Sequence, residues 1–363
     1  MLLPTTMVGS YPRPRWFTYQ LEGRDIFEAF KVIHHHEAYE DAVRTVVKDQ
    51  ELAGLDVLTD GQMNFDDYGM GIGSFLWYWY ERIVGVDPVK VVHPARSKAK
   101  GTDVAMLDEV GSARVVGPVA RGPVRLATMW KMAQRLTDRP IKACVGAGPV
   151  QLAMGLTYES GPIKGWRDMA RALVEVFRAE IEDLVEAGCK HVQLEDLGAW
   201  VPNLTGRDDA ALVLEVTNRV LEGWADRGVT TSWHFCFGNT WGSRNHGLTK
   251  GGYENALPWY RESIAQSFVI DFACREMEDA RLLATLQDSR RVDVGVIDVR
   301  SLEVEQDEQV AERIRKVLRH IAAERVTLTT DCGMKQLPRY SAVGKLRAMV
   351  AGARIVREEL GRS

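Results

Sequence analysis

The chain has 363 residues, 45% apolar and 26% charged, which is the composition of a water-soluble globular protein with material for a large core. Its net charge of −4, with both signs interspersed, excludes a nucleic-acid groove, and the opening MLLPTTMVGS lacks the basic and apolar regions of a secretory signal. Five cysteines, odd in number and sparse, argue against a disulfide framework and for a reducing, cytoplasmic setting.

Taken in chain order, residues 5–10 form the first extended run, and a helix over about 37–53 leads to a second run at 55–60. The most apolar stretch, 71–80 (GIGSFLWYWY), is about half a membrane span, so no membrane segment is expected. Residues 89–92 and 113–119 read as a β-hairpin, inserted at about 81–122 after the second unit. Beyond residue 140, β-branched runs at 141–146, 191–195, 230–237, 268–273, 292–299 and 326–330 alternate with segments at 166–187, 208–226, 253–266, 305–323 and 340–358. In the latter, apolar residues recur at helical spacing, and the alternation is that of βα units around a parallel sheet. The main-chain runs number eight, the count that closes a (β/α)8 TIM barrel. An open, doubly wound sheet is the alternative, but no GxGxxG follows the first run. No repeat or linker divides the chain, so 1–363 is expected to form a single catalytic domain.

In a parallel barrel the working residues stand at the carboxyl ends of the strands. His234 and Cys236 lie two apart on one run, so the strand period aims both at one face. Buried His and Cys are often simple core residues, but Cys332 ends the last run and can reach the same mouth. Imidazole and thiolate are the donors zinc prefers, and Asp271, at the end of the run between them, is the natural fourth ligand. Its alternative role is a helix cap, since 276–286 looks helical. Three protein ligands with a replaceable fourth suit catalysis, and two thiolates favour a third sulfur over hydroxide. The implied chemistry is activation of a small thiol, which zinc deprotonates at neutral pH.

These residues, with TTMVGSYPRPRW, DVLTDGQ, VGAGPV, VQLED, HFCFGN and TTDCGMKQLPR, make the chain resemble the cobalamin-independent methionine synthases along nearly its whole length. The family comprises a catalytic C-terminal barrel and stand-alone relatives. The resemblance implies that His234, Cys236 and Cys332 bind zinc, that Asp271 stands where the family has a metal-binding Glu, and that Ser10 holds the amino-acid carboxylate. Gln62 replaces an acid that serves the substrate ammonium, and Glu195 and Asp196 keep two substrate-facing acids in swapped order. Asp298-Val299-Arg300-Ser301 replaces DxHS, whose His resembles a proton shuttle; Asp298 and Arg300 are the expected catalytic pair. Arg300 cannot titrate near neutrality but can bind an anion.

Two reactions therefore stay open: methyl transfer to homocysteine, and opening of an epoxide by coenzyme M, as in the epoxyalkane:coenzyme M transferases. A zinc-free, uroporphyrinogen decarboxylase-like lyase is a third, remote reading that leaves the HxC motif without a role. The expected partners are a small thiol and an alkyl donor, with Zn2+ as cofactor and a homo-oligomer conceivable. Other features have plainer readings. His34–His36 read as a solvated turn before a helix; Asn64, Asp66, Asp67 and Tyr68 as a capping turn or pocket lining. Phe75 and Trp77–Tyr80 read as helix packing or a dimer surface, with Trp77 or Trp79 as an alternative wall for the electrophile. Cys144, Cys189 and Cys274 read as small hydrophobes, Cys274 being the one placed to substitute as a ligand.

Overall fold

A computed structural model describes residues 1–14, 16–17, 33–65, 72–91, 112–158, 161–200, 208–237, 252–257, 261–286 and 289–362. Two strands, β1 (Val84–Val91) and β2 (Ser112–Ala120), pair antiparallel and form the expected hairpin. Six more, β3 (Ala143–Gly146), β4 (His191–Glu195), β5 (Thr230–His234), β6 (Ser267–Asp271), β7 (Arg291–Ile297) and β8 (Val326–Thr330), lie parallel in chain order.

The first two extended segments complete the ring. Thr5 bridges Leu328 of β8, and Leu58 bridges Ile141 just ahead of β3, both in parallel. The Asp56 and Val57 N–H groups both donate to Thr5 O at 3.0 Å, which joins the two segments to each other. Asp56 reinforces the seam by accepting from Thr5 N at 2.8 Å, Thr5 Oγ1 at 2.9 Å and Arg357 Nη2 at 2.8 Å. The eight extended segments thus return on themselves as an α/β barrel.

Eight α-helices are described: α1 (Ile33–Ala53), α2 (Ile72–Tyr80), α3 (Leu126–Gln134), α4 (Pro149–Met154), α5 (Trp166–Glu186), α6 (Asp208–Leu221), α7 (Asp307–Leu318) and α8 (Arg339–Arg362). Helix α5 buries Met169, Ala170, Leu173, Val174, Phe177, Ile181 and Leu184, the three-and-four spacing that covers a sheet. Phe177 stacks on Trp79 with ring centroids 4.4 Å apart, so α2 packs inward through its aromatics. Replacing Phe177 with Ala would cost about 3–5 kcal/mol through the cavity left behind. Helix α1 starts at Ile33, so His34–His36 form its first turn rather than precede it. Of the helix expected over 253–266, the described residues show a 3-10 turn at Tyr253–Asn255, and 258–260 lie outside them. Among the described residues no helix is long and apolar enough to cross a membrane.

Strand register sorts the side chains into two shells. Val145, Leu194, Trp233, Phe268, Val292 and Val326 are register partners around the ring, all buried. One position back, the register joins Cys144, Gln193, Ser232 and Ser267, and one position on, a whole pleat repeat above these, Gly146, Glu195 and His234. Barrel interiors are usually filled with branched aliphatics. Here the outer shell carries the apolar packing and the lumen is polar, which places chemistry inside the ring.

Candidate metal centre

His234 ends β5 and Cys236 follows two residues later, while Cys332 follows β8. One donor atom from each lies within 4.8 Å of the others, and the two sulfurs are 3.2 Å apart. The ends of these strands are pinned. The indole of Trp200 donates to Cys236 O at 2.8 Å, and Thr330 Oγ1 donates to Cys332 O at 2.8 Å. His234 Nδ1 lies 3.1 Å from Val269 O, and a carbonyl can only accept, so Nδ1 carries the proton. The lone pair then sits on Nε2, which is buried with no hydrogen-bond partner. An imidazole oriented by a backbone carbonyl, with its other nitrogen bare beside two sulfurs, fits a soft divalent cation. The Cys332 thiol is held well below its ordinary range by the Cys236 thiol that hydrogen-bonds to it, with His234 and Arg300 adding to the effect.

Asp271 is not brought into this triad. It is fully buried, and its oxygens group instead with Cys274 and Asp331. The Tyr253 hydroxyl donates to Oδ1; Arg300 Nη2 donates to Oδ2 at 2.8 Å, and Cys274 Sγ lies 3.4 Å from Oδ2. The expectations for Arg300 and Asp298 change with it. The Arg300 side chain is only 2% exposed, pairs with Asp271, and has Nη1 3.6 Å from Asp331 Oδ2. Two buried carboxylates thus face its charge, while Nη1 is buried without a hydrogen-bond partner. Asp298 accepts from Arg300 N at 2.9 Å and its own N–H donates to Glu305 Oε1 at 3.0 Å, a turn-forming role. Asp331 caps the next turn, accepting from Phe272 N at 3.1 Å, Ala273 N at 3.0 Å and Cys274 N at 2.6 Å. Burial first, and the Asp271 charge second, push its carboxyl up to about 8.

Beside the triad stands Glu195, the register partner of His234 on the neighbouring strand. Lys142 Nζ, fully buried, donates to Gln193 Oε1 at 2.7 Å. A lysine only donates, so the Gln193 amide nitrogen must face the other way, and it reaches Glu195 Oε1 at 2.8 Å. Gln62 Nε2 takes the second oxygen, Glu195 Oε2, at 2.9 Å. Two amides thus clamp one carboxylate, and burial raises its pKa to about 7. Glycine makes this possible at two places: a Cβ on Gly9 or Gly146 would run into the Glu195 carboxylate. Ser10 is buried with its hydroxyl unpartnered, and a Cβ on Gly333 would strike that hydroxyl, so Ser10 sits directly against the residue after Cys332.

Asp196 departs from its expected place at the substrate. Fully buried, it accepts from Val150 N at 3.1 Å and Gln151 N at 3.0 Å, capping the start of α4. Trp79 donates its indole N–H to Gly146 O and Tyr80 its hydroxyl to Leu152 O at 2.8 Å, so the aromatic run is packing between elements. Cys144 and Cys189 are buried, their sulfurs facing Val8 O at 2.9 Å and His191 O at 3.2 Å. Asn64 is buried; Asp66, Asp67 and Tyr68 lie outside the described residues. Lys142, Gln193 and Tyr253 were not singled out from the sequence. Lys142 and Gln193 were legible, each lying a whole pleat repeat from a lumen-facing neighbour, Cys144 and Glu195.

A parallel barrel with an imidazole–dithiol centre at its strand ends, flanked by a clamped carboxylate, is the arrangement of an enzyme that handles small thiols. The family model for the catalytic domain of the cobalamin-independent synthases matches residues 98–355. A methionine synthase of Sulfolobus acidocaldarius is 30% identical over 365 residues, covering 99% of this chain and 94% of that one. One from Saccharolobus islandicus is 30% identical over 367 residues, covering 99% and 97%. The solved B12-independent methionine synthase from Shewanella sp. W3-18-1, in complex with selenomethionine, superposes with a TM-score of 0.80 at 26% identity, covering all of both chains. The chain belongs to the cobalamin-independent methionine synthase family. The epoxyalkane:coenzyme M transferase and decarboxylase-like readings gain no support from these likenesses.

Proposed function

We propose that this enzyme transfers a methyl group to the thiol of homocysteine, with zinc held by His234, Cys236 and Cys332. The observation that carries the reading is the triad, whose bare, buried imidazole nitrogen and paired sulfurs stand beside a carboxylate held by two amides. Zinc at this place supplies the Lewis acidity that makes a thiol a nucleophile at neutral pH. Glu195 accepts hydrogen bonds from the substrate ammonium, while Gln62 and Gln193 keep its oxygens in place. The unpartnered Ser10 hydroxyl donates to the substrate carboxylate. Together these groups demand an amino-acid thiol, which homocysteine is and coenzyme M is not.

The test is to strip the protein of metal and assay methionine formation from homocysteine with candidate methyl donors, folate-borne and sulfonium. Activity lost on chelation and restored by about one zinc per chain supports the proposal. Methionine formation that survives complete metal removal, or that survives Cys332→Ser, refutes it.

A further inference from the structure

The resemblance puts a carboxylate on the metal at the position of Asp271, but this chain couples that position to a residue its relatives' DxHS motif does not have. Asp271 is shorter than Glu by one methylene, and every approach to its carboxylate is taken. Tyr253 holds Oδ1, Arg300 and Cys274 reach Oδ2, and the Phe237 N–H faces the pair, 3.2 Å from Oδ2. Arg300 is buried with it, and its Nη1 lies 3.6 Å from Asp331 Oδ2. A guanidinium cannot shed its charge, so moving Asp271 to a metal would leave a buried cation poorly compensated. The group formed by Asp271, Cys274 and Asp331 is no second metal site either, because Arg300 already supplies its cation.

We propose that Arg300 holds Asp271 off the metal, so that the ion keeps three protein ligands and its remaining position is reserved for the substrate thiol. In such a site the incoming sulfur displaces no carboxylate. The centre before substrate binding is also neutral, two thiolates against one divalent ion, where a bound carboxylate would make it an anion. Arg300 is a positioning residue: it acts through Asp271. The inference rests on the zinc reading above, and the test separates the two.

Cobalt(II) replaces zinc as a spectroscopic probe, and zinc affinity is measured by competition with a chromophoric chelator, in both cases without thiol substrate. Asp271→Asn is expected to leave the cobalt d–d bands and the zinc affinity as they are in the unsubstituted protein. Arg300→Met is expected to shift the bands and tighten zinc binding on the order of tenfold, as the released carboxylate joins the ion. The double substitution is expected to return both to the starting values. A band shift with weakened zinc binding in Asp271→Asn alone would show that Asp271 is already a ligand and overturn the proposal. Arg300→Met with unchanged bands would overturn it too, since Arg300 would then not be the restraint. Should Arg300→Met not fold, Asp271→Asn decides by itself, because losing a ligand must alter the bands. If cobalt bands are absent in the unsubstituted protein, or unaffected by Cys332→Ser, the zinc reading itself fails, and this proposal with it.

Discussion

Replacing Glu195 with Gln tests the substrate wall with a change of one atom and one charge. The Gln62 and Gln193 amide nitrogens stand 2.9 Å and 2.8 Å from the two carboxylate oxygens, so whichever end the new amide nitrogen takes, it meets a donor. Gln193 cannot turn to relieve this, because Lys142 needs its oxygen at 2.7 Å. The adjustment falls on Gln62, and the ammonium of homocysteine loses its anionic partner. A hydrogen bond to a charged group is worth about 1.5–3 kcal/mol, which converts to roughly 10- to 150-fold in affinity. Calorimetry on the zinc-loaded protein, with homocysteine and with its des-amino analogue 4-mercaptobutyrate, reads the effect directly. The unsubstituted protein is expected to favour homocysteine by such a factor, and Glu195→Gln to lose the preference while keeping its zinc. If the variant weakens both thiols equally, or keeps its full preference for homocysteine, Glu195 is not the ammonium site.

Asp196→Ala removes the cap of α4 and leaves the Val150 and Gln151 N–H groups without their acceptor, so a loss of about 1–2 kcal/mol is expected in urea denaturation. Homocysteine affinity of the folded variant should be unchanged, and a selective loss of affinity would return Asp196 to the substrate. His191 is held neutral, its pKa pushed down to about 3 by burial first and by Lys142 and Arg291 after that. A depressed folded-state value means stability present above the ordinary histidine pKa of about 6.5 and lost as pH falls from there towards 3. Thermal midpoints should fall over that window, and His191→Asn should flatten the slope; an equal slope in the variant refutes the assignment. Coenzyme M should compete poorly with homocysteine for the zinc-loaded protein, since two buried carboxylates, Asp271 and Asp331, already face the Arg300 charge. Competition as strong as homocysteine's own would show an anion site elsewhere.

Much of the architecture was legible because two periods carry it. The outer shell of register partners from Val145 to Val326 is apolar at every position, and the helices between repeat at three and four, so the units declared themselves. The triad was equally legible, because two of its members share a strand face and the third ends a strand. What sequence could not give was the direction in which the acids and Arg300 turn. Asp196 and Glu195 are neighbours on the chain, yet the pleat sends one to a helix N-terminus and the other into the lumen. Arg300 looked like an anion site because a single sequence does not display that Asp271 and Asp331, 29 and 31 positions away, fold against it. Tyr253 had no local signal, being set on a short turn by contacts from distant residues.

The triad also imposes an order on assembly. Its sulfurs are contributed 96 positions apart, one after β5 and one after β8, the strand that seals the ring against Thr5. A nascent chain that has made only the fifth strand offers two of the three donors, His234 and Cys236. On the zinc reading proposed above, the third donor arrives only when the last strand is docked, so tight metal retention would report a closed barrel.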